Sequence, residues 1–171
     1  IESSAASDVY KRQLIGPLVK DKKNILGNWA AAGDRNGKAI SIFQGIKEYL
    51  DDKNILFAKG CDIDSNDSSG FSKAIQVVGK ADKVIMVLGE DYNMSGEAAS
   101  RTNIKLPGIQ TDLIKAIRDE FPDKKIILIL MNGRPLDLTI EDSLVDTILE
   151  IWYPGTSGGL GVADILFGKY N

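Results

Sequence analysis

The sequence predicts an α/β fold, an open doubly wound and mostly parallel sheet flanked by helices. Two observations carry this. The runs Lys83–Gly89 (KVIMVLG) and Lys125–Met131 (KIILILM) are apolar almost throughout rather than alternating, as strands buried on both faces are. Segments of helical periodicity separate such runs over short connections, the order that builds a parallel sheet covered by helices.

Each element follows from local pattern. Residues 14–19 form a brief apolar run ending in a loop. Across 38–50, Ile42, Phe43, Ile46, Tyr49 and Leu50 recur at helical spacing until Asp51-Asp52 breaks it. Residues 54–59 read as a strand and 60–70 as a polar loop. A helix is expected over 71–81, with Phe71, Ile75 and Val78 on one face. After KVIMVLG, residues 91–108 have no clear period. The turn Leu106-Pro107-Gly108 then opens an amphipathic helix over 109–121, aligning Ile109, Leu113, Ala116, Ile117 and Phe121. KIILILM follows, then a third apolar run over 146–152 and a last helix over 160–167 behind a Gly-rich turn. No internal repeat or linker breaks the 171 residues, enough for one well-cored domain.

Composition narrows the chemistry. A net charge of -3 gives no footing for a polyanion, so nucleic acid is not an expected partner. No apolar run nears the roughly 20 residues that cross a bilayer. Residues 1–13 lack the basic and apolar regions of a signal peptide. The chain has no histidine, which excludes from it a Ser-His-Asp or Cys-His relay and any His-ligated zinc. Proton transfer near neutral pH is left to carboxyl groups, lysine, tyrosine or the single cysteine, Cys61, to which no role is assigned. Neither metal nor cofactor is expected.

In doubly wound sheets, ligands meet the loops beyond the carboxyl ends of the strands. Here these are residues 89–108, 132–139 and 153–159. The first is long for a loop without secondary structure and carries Glu90, Asp91, Glu97, Tyr92 and Arg101. It reads either as a functional loop or as a solvated one with Arg101 paired to a nearby acid. Arg134, in Asn132-Gly133-Arg134-Pro135, suits a ligand or an acid on a neighbouring loop equally well. Trp29 suits stacking on a sugar face or buried packing. The Gly-rich turn at 153–161 suits an anion cradle at a helix start, or a tight turn capped by Thr156 or Ser157. It fits neither the dinucleotide nor the Walker spacing.

Several stretches, in order, resemble the C-terminal domain of family 3 glycoside hydrolases. They are Leu14-Ile15-Gly16-Pro17-Leu18, Gly27-Asn28-Trp29 with Gly33-Asp34, and Ser95-Gly96-Glu97 with Ser100-Arg101 and Leu106-Pro107-Gly108-Ile109-Gln110. Asn132-Gly133-Arg134-Pro135-Leu136, the run from Trp152 to Gly159, and the ending from Ala163 to Asn171 complete the series. The likeness covers residues 14–171, and residues 1–13 are expected to be an atypical, non-native segment. It implies the acid/base domain of a retaining, exo-acting β-glucosidase-like enzyme whose N-terminal (β/α)8-type barrel supplies an aspartate nucleophile. Glu97 matches the acid/base glutamate. Ser100 and Arg101 are expected to organise its loop, and Trp29 to contact substrate. The substrate implied is a β-linked oligosaccharide or β-glucoside, and the compartment periplasmic or secreted. Without the barrel the chain is expected to be inactive, with the loop over 91–105 poorly ordered. A nucleotide- or small-ligand-binding module at residues 155–161, and a purely structural domain, are the alternatives.

Overall fold

The computed structural model describes residues 11–30, 33 and 37–170. Five parallel strands form one sheet in the order β2-β1-β3-β4-β5, where β1 is Arg12–Ile15, β2 Ile55–Ala58, β3 Lys83–Gly89, β4 Lys125–Met131 and β5 Thr147–Glu150. The helices are α1 (Ile42–Lys47), α2 (Phe71–Val78), α3 (Gln110–Glu120), α4 (Thr139–Leu144) and α5 (Gly158–Leu166). The expected α/β sandwich is what the chain forms.

The two apolar runs explain the layering. Along β3, Val84, Met86 and Leu88 join the core under α2 and α3, while Ile85 and Val87 join the core under α1 and α5. In β4, Ile126, Leu128 and Leu130 face the first core, Ile129 and Met131 the second. Each central strand therefore feeds both cores, and a polar residue at either parity would be costly.

The structure departs from the expectations in four places. β1 begins at Arg12, so Arg12 and Gln13 are sheet residues paired to Ile55, Leu56, Lys83 and Val84, ahead of the start expected at residue 14. Residues 1–10 and Asp34 lie outside the described residues. The short helix α4 was not expected; six residues with Glu141 and Asp142 in the first turn show no apolar period. β5 is a four-residue edge strand, partly exposed, rather than a buried run over 146–152. Finally, α5 starts at Gly158, inside the Gly-rich stretch, with Ser157 at its N-cap position making no side-chain capping bond.

That last difference has a packing cause. A Cβ on Gly159 would run into the backbone at Ile40 and Ser41, and one on Gly45 into the backbone of Gly159. The glycines let α5 lie directly on α1. Gly155, Gly158 and Gly159 donate their amides to the carbonyls of Ile25 (2.8 Å), Gly155 (3.0 Å) and Ile40 (3.1 Å). The amides that an anion would need at this helix start are already used.

Candidate active-site loop

The sheet order reverses direction between β1 and β3, so the loops leaving those two strands diverge and border a crevice. The loop after β3 is built from its root outward. Glu90 continues the alternation of Val84, Met86 and Leu88 and is fully buried. Its amide donates to the Met131 carbonyl at 2.9 Å. Arg101 Nη1 lies 2.5 Å from Glu90 Oε1. Arg134 Nε stands 3.2 Å from that same oxygen, an ion-pair distance without hydrogen-bond alignment. The Gly133 amide donates to Oε2 at 3.2 Å. Two cations and an amide thus compensate one buried carboxylate, the condition under which burying a charge is tolerable.

Gln110, at the start of α3, closes the root from the other side. Its Oε1 accepts from the Gly89 amide at 2.9 Å, and its Nε2 donates to the carbonyls of Gly89 (2.7 Å) and Ile63 (2.8 Å). Asp91 then accepts from the Asn93 amide at 2.9 Å, turning the chain into a single 3-10 turn over Tyr92–Met94.

The loop after β1 fixes this turn. Asn24 Oδ1 accepts from the Tyr92 amide at 2.8 Å, and Asn24 is itself held by Asp21. Asn28 Nδ2 donates to the carbonyls of Ser95 (2.9 Å) and Tyr92 (3.3 Å). Lys23 sits 4.6 Å from the centre of the Tyr92 ring. Its contact with the phenol holds Tyr92 below its ordinary pKa and Lys23 above. From the far loop, the Tyr153 hydroxyl donates to the Asp91 carbonyl at 3.1 Å. Burial pushes that phenol up, so it remains a neutral donor.

Glu97 is the exception. It stands exposed at the tip, with no hydrogen bond or ion pair among the described residues. Its neighbours on both sides are left-handed, Gly96 at φ 101° and Ala98 at φ 59°. Ser100 is also exposed and makes no side-chain hydrogen bond among the described residues, whereas Arg101 turns inward to Glu90. Trp29 is 74% exposed, so it is not packed within this domain, and its neighbour Asn28 holds the carbonyl two residues before Glu97. Glu97 and Trp29 therefore belong to adjoining loops at one edge of the sheet. Cys61 is buried, with its thiol pushed up to about 11, and offers no thiolate near neutral pH. Among the described residues no three Cys, Asp or Glu side chains converge as metal ligands.

Three residues of this edge carry more than their sequence pattern suggested. Glu90 reads as one of three loop acids, but its parity with Val84, Met86 and Leu88 is the signal of burial. Asn24 and Gln110 have no such signal. A second exposed indole, Trp152, follows β5 at φ 52°, an uncommon backbone for a bulky residue, with its amide donating to Glu150 Oε1 at 3.0 Å.

Residues 7–171 match the family model described as the glycosyl hydrolase family 3 C-terminal domain, which also carries the match ahead of residue 14. A periplasmic beta-glucosidase of Salmonella typhimurium is 39% identical over 92% of this chain, which corresponds to 23% of that protein. A beta-xylosidase of Formosa agariphila is 33% identical over 96% of the chain and 23% of its own length. The crystal structure of a beta-glucosidase from Listeria innocua in complex with isofagomine superposes with a TM-score of 0.85 at 30% identity, covering 94% of this chain and 22% of that one. The chain thus spans less than a quarter of these relatives. No helix among the described residues is long and apolar enough to cross a membrane. With its parallel sandwich and the ordered loops at its carboxyl edge, the chain belongs to glycoside hydrolase family 3, as the C-terminal domain of such an enzyme.

Proposed function

We propose that this domain supplies the general acid/base of a retaining, exo-acting β-glycosidase, and that Glu97 is that group. The observation that carries the reading is the contrast among the three carboxylates of one loop: Glu90 and Asp91 are spent on holding it, and among the described residues Glu97 is exposed without a partner. A carboxyl group so placed can reach the leaving-group oxygen of a sugar bound to another domain. It protonates that oxygen in the first step, then takes a proton from water as the glycosyl-enzyme intermediate is hydrolysed. The nucleophile comes from the rest of the polypeptide, in a (β/α)8-type barrel whose aspartate would stand about 5–5.5 Å from Glu97, as retention requires. The chemistry uses carboxyl groups alone.

β-Glucosides are the first substrate class to test and β-xylosides the second, since relatives bear both names. Trp29 would stack its exposed indole on a sugar face of the substrate. Arg101 organises the loop through Glu90, and Ser100 borders the tip. One relative is named periplasmic, which favours a periplasmic or secreted enzyme. An anion module at the Gly-rich turn is disfavoured by the occupied amides of Gly155, Gly158 and Gly159.

Glu97→Gln in the full-length enzyme tests the assignment. Substrates with poor leaving groups are expected to lose about 10²–10⁴-fold in rate. Activated aryl glycosides should still form the intermediate, release a burst of aryl alcohol, and recover turnover with azide. Equal losses on both substrate types, with neither burst nor rescue, would rule Glu97 out. The 171-residue chain alone is expected to hydrolyse no aryl β-glucoside above background, and turnover by it would rule out a divided site.

A further inference from the structure

We infer that Arg134, on the loop after β4, is the positioning residue that holds Glu97 in its working orientation, with buried Glu90 as the fixed point behind it. The inference rests on the acid/base reading of Glu97. Arg134 Nη2 donates to two carbonyls of the neighbouring loop, Met94 and, at 3.1 Å, Ala99. These lie three residues before Glu97 and two after it. One planar group therefore clamps both ends of the hexapeptide that carries the carboxylate. Only the tip between them bulges outward, through the left-handed Gly96 and Ala98. A non-glycine residue at positive φ is unfavourable and persists only where its surroundings impose it. The clamp supplies that imposition.

The guanidinium is itself fixed from behind. Its Nε faces Glu90 Oε1 at 3.2 Å, and the Glu90 carboxylate accepts from Arg101 and from the Gly133 amide. Glu90 is fully buried and only 19% of the Arg134 side chain is exposed, so solvent screens these contacts weakly. Nε faces Glu90 while Nη2 of the same plane meets the two carbonyls, a spread that the single ammonium nitrogen of lysine lacks. Arg134→Lys would keep a positive charge near Glu90 and give up the paired carbonyl contacts. The tip would then be free to shift, and displacement of a catalytic group by about 1 Å can cost on the order of 10²-fold in rate.

The experiment uses the full-length enzyme with Arg134→Lys, Arg134→Met and, in parallel, Glu97→Gln. Active sites are counted with a dinitrophenyl 2-fluoroglycoside, which traps the nucleophile without needing an acid and so separates misfolding from misplacement. Per active site, kcat/KM for alkyl glycosides should fall on the order of 10–10²-fold, and that for dinitrophenyl glycosides should hold. The dependence of rate on leaving-group pKa should therefore steepen in the Arg134 variants, in the direction of Glu97→Gln. If Glu97→Gln steepens it and neither Arg134 variant does, the inference is overturned and the acid/base reading stands. A flat dependence in Glu97→Gln overturns both. Should Arg134→Met give no folded protein, Arg134→Lys alone decides.

Discussion

Glu90 and Glu97 sit seven residues apart on one loop, and their surroundings are opposite. At the root, Glu90 is sealed from solvent and met by Arg101, Arg134 and the Gly133 amide. At the tip, Glu97 is exposed and touches none of the polar groups around it among the described residues. The difference separates two uses of a carboxylate. A buried, compensated one locks the loops after β3 and β4 together, because no partner can leave without stranding a charge. An exposed, unpartnered one contributes little to the fold and is free to exchange a proton with a substrate. The stable root is what allows the tip to be both prominent and well placed.

The largest expected effect tests the root. Glu90→Ala leaves two guanidinium groups facing each other without their anion, and breaking a buried ion pair typically costs about 3–5 kcal/mol. Chemical denaturation of the isolated domain should show a loss of that size, with increased proteolysis between Asp91 and Lys105. A loss below about 1 kcal/mol would mean that Glu90 is dispensable to the loop.

A second carboxylate with similar partners isolates the contribution of burial. Asp146 precedes β5 and receives Lys125 Nζ at 2.6 Å, Arg118 Nη2 at 3.0 Å and the Ile126 amide at 2.9 Å. Burial would raise its pKa, but the hydrogen bonds from Lys125, Ile126 and Arg118 outweigh it and bring the carboxyl down to about 2. A folded-state pKa below the unfolded value adds stability above the usual carboxylate range. That stability is lost as pH falls from about 4 towards 2. Its side chain is 27% exposed and Lys125 lies in solvent, so screening reduces the contribution to about 1 kcal/mol. Asp146→Asn should therefore destabilise at pH 7 by about that much and by much less at pH 2.5. A cost equal to that of Glu90→Ala would show that burial is not what distinguishes the two.

What was legible in the sequence follows the same division between buried and marginal. KVIMVLG and KIILILM could be read to the residue because burial on both faces leaves no alternative to unbroken apolar side chains. β5, at the sheet edge, is partly exposed and blurs into its flanks. α4 has six residues and too little apolar surface to show a period. In the Gly-rich turn, the close approach of α5 to α1 is a tertiary fact that no local pattern records. At the site, the three carboxylates of the long loop were readable, but the network that holds the loop was not. Its members Asn28, Glu90, Arg101 and Arg134 come from three loops, and only the sheet order brings them together. The loop over 91–105, expected to open for want of a docking surface, is tied along its first half by Asn24, Asn28, Arg134 and Tyr153. Among the described residues, the positions of this loop that make no hydrogen bond are Glu97, Ala98, Ser100 and Thr102.

The smallest expected effect belongs to that tip. Glu97→Gln in the isolated domain removes a charge that has no partner among the described residues and keeps the side chain's size. Surface substitutions of this kind stay within about 0.5 kcal/mol, so the denaturation midpoint should hardly move. Amide exchange should show the same grading along the loop. The Tyr92 amide, donated to Asn24, should be protected, and the Glu97 amide should exchange fast in both wild type and variant. The combination matters more than either result. A residue that is nearly silent for folding but costs orders of magnitude in the complete enzyme is acting on substrate. Were Glu97→Gln to destabilise the domain by more than about 1 kcal/mol, the carboxylate would have a partner within the fold, and its exposure could no longer count as evidence for acid/base work.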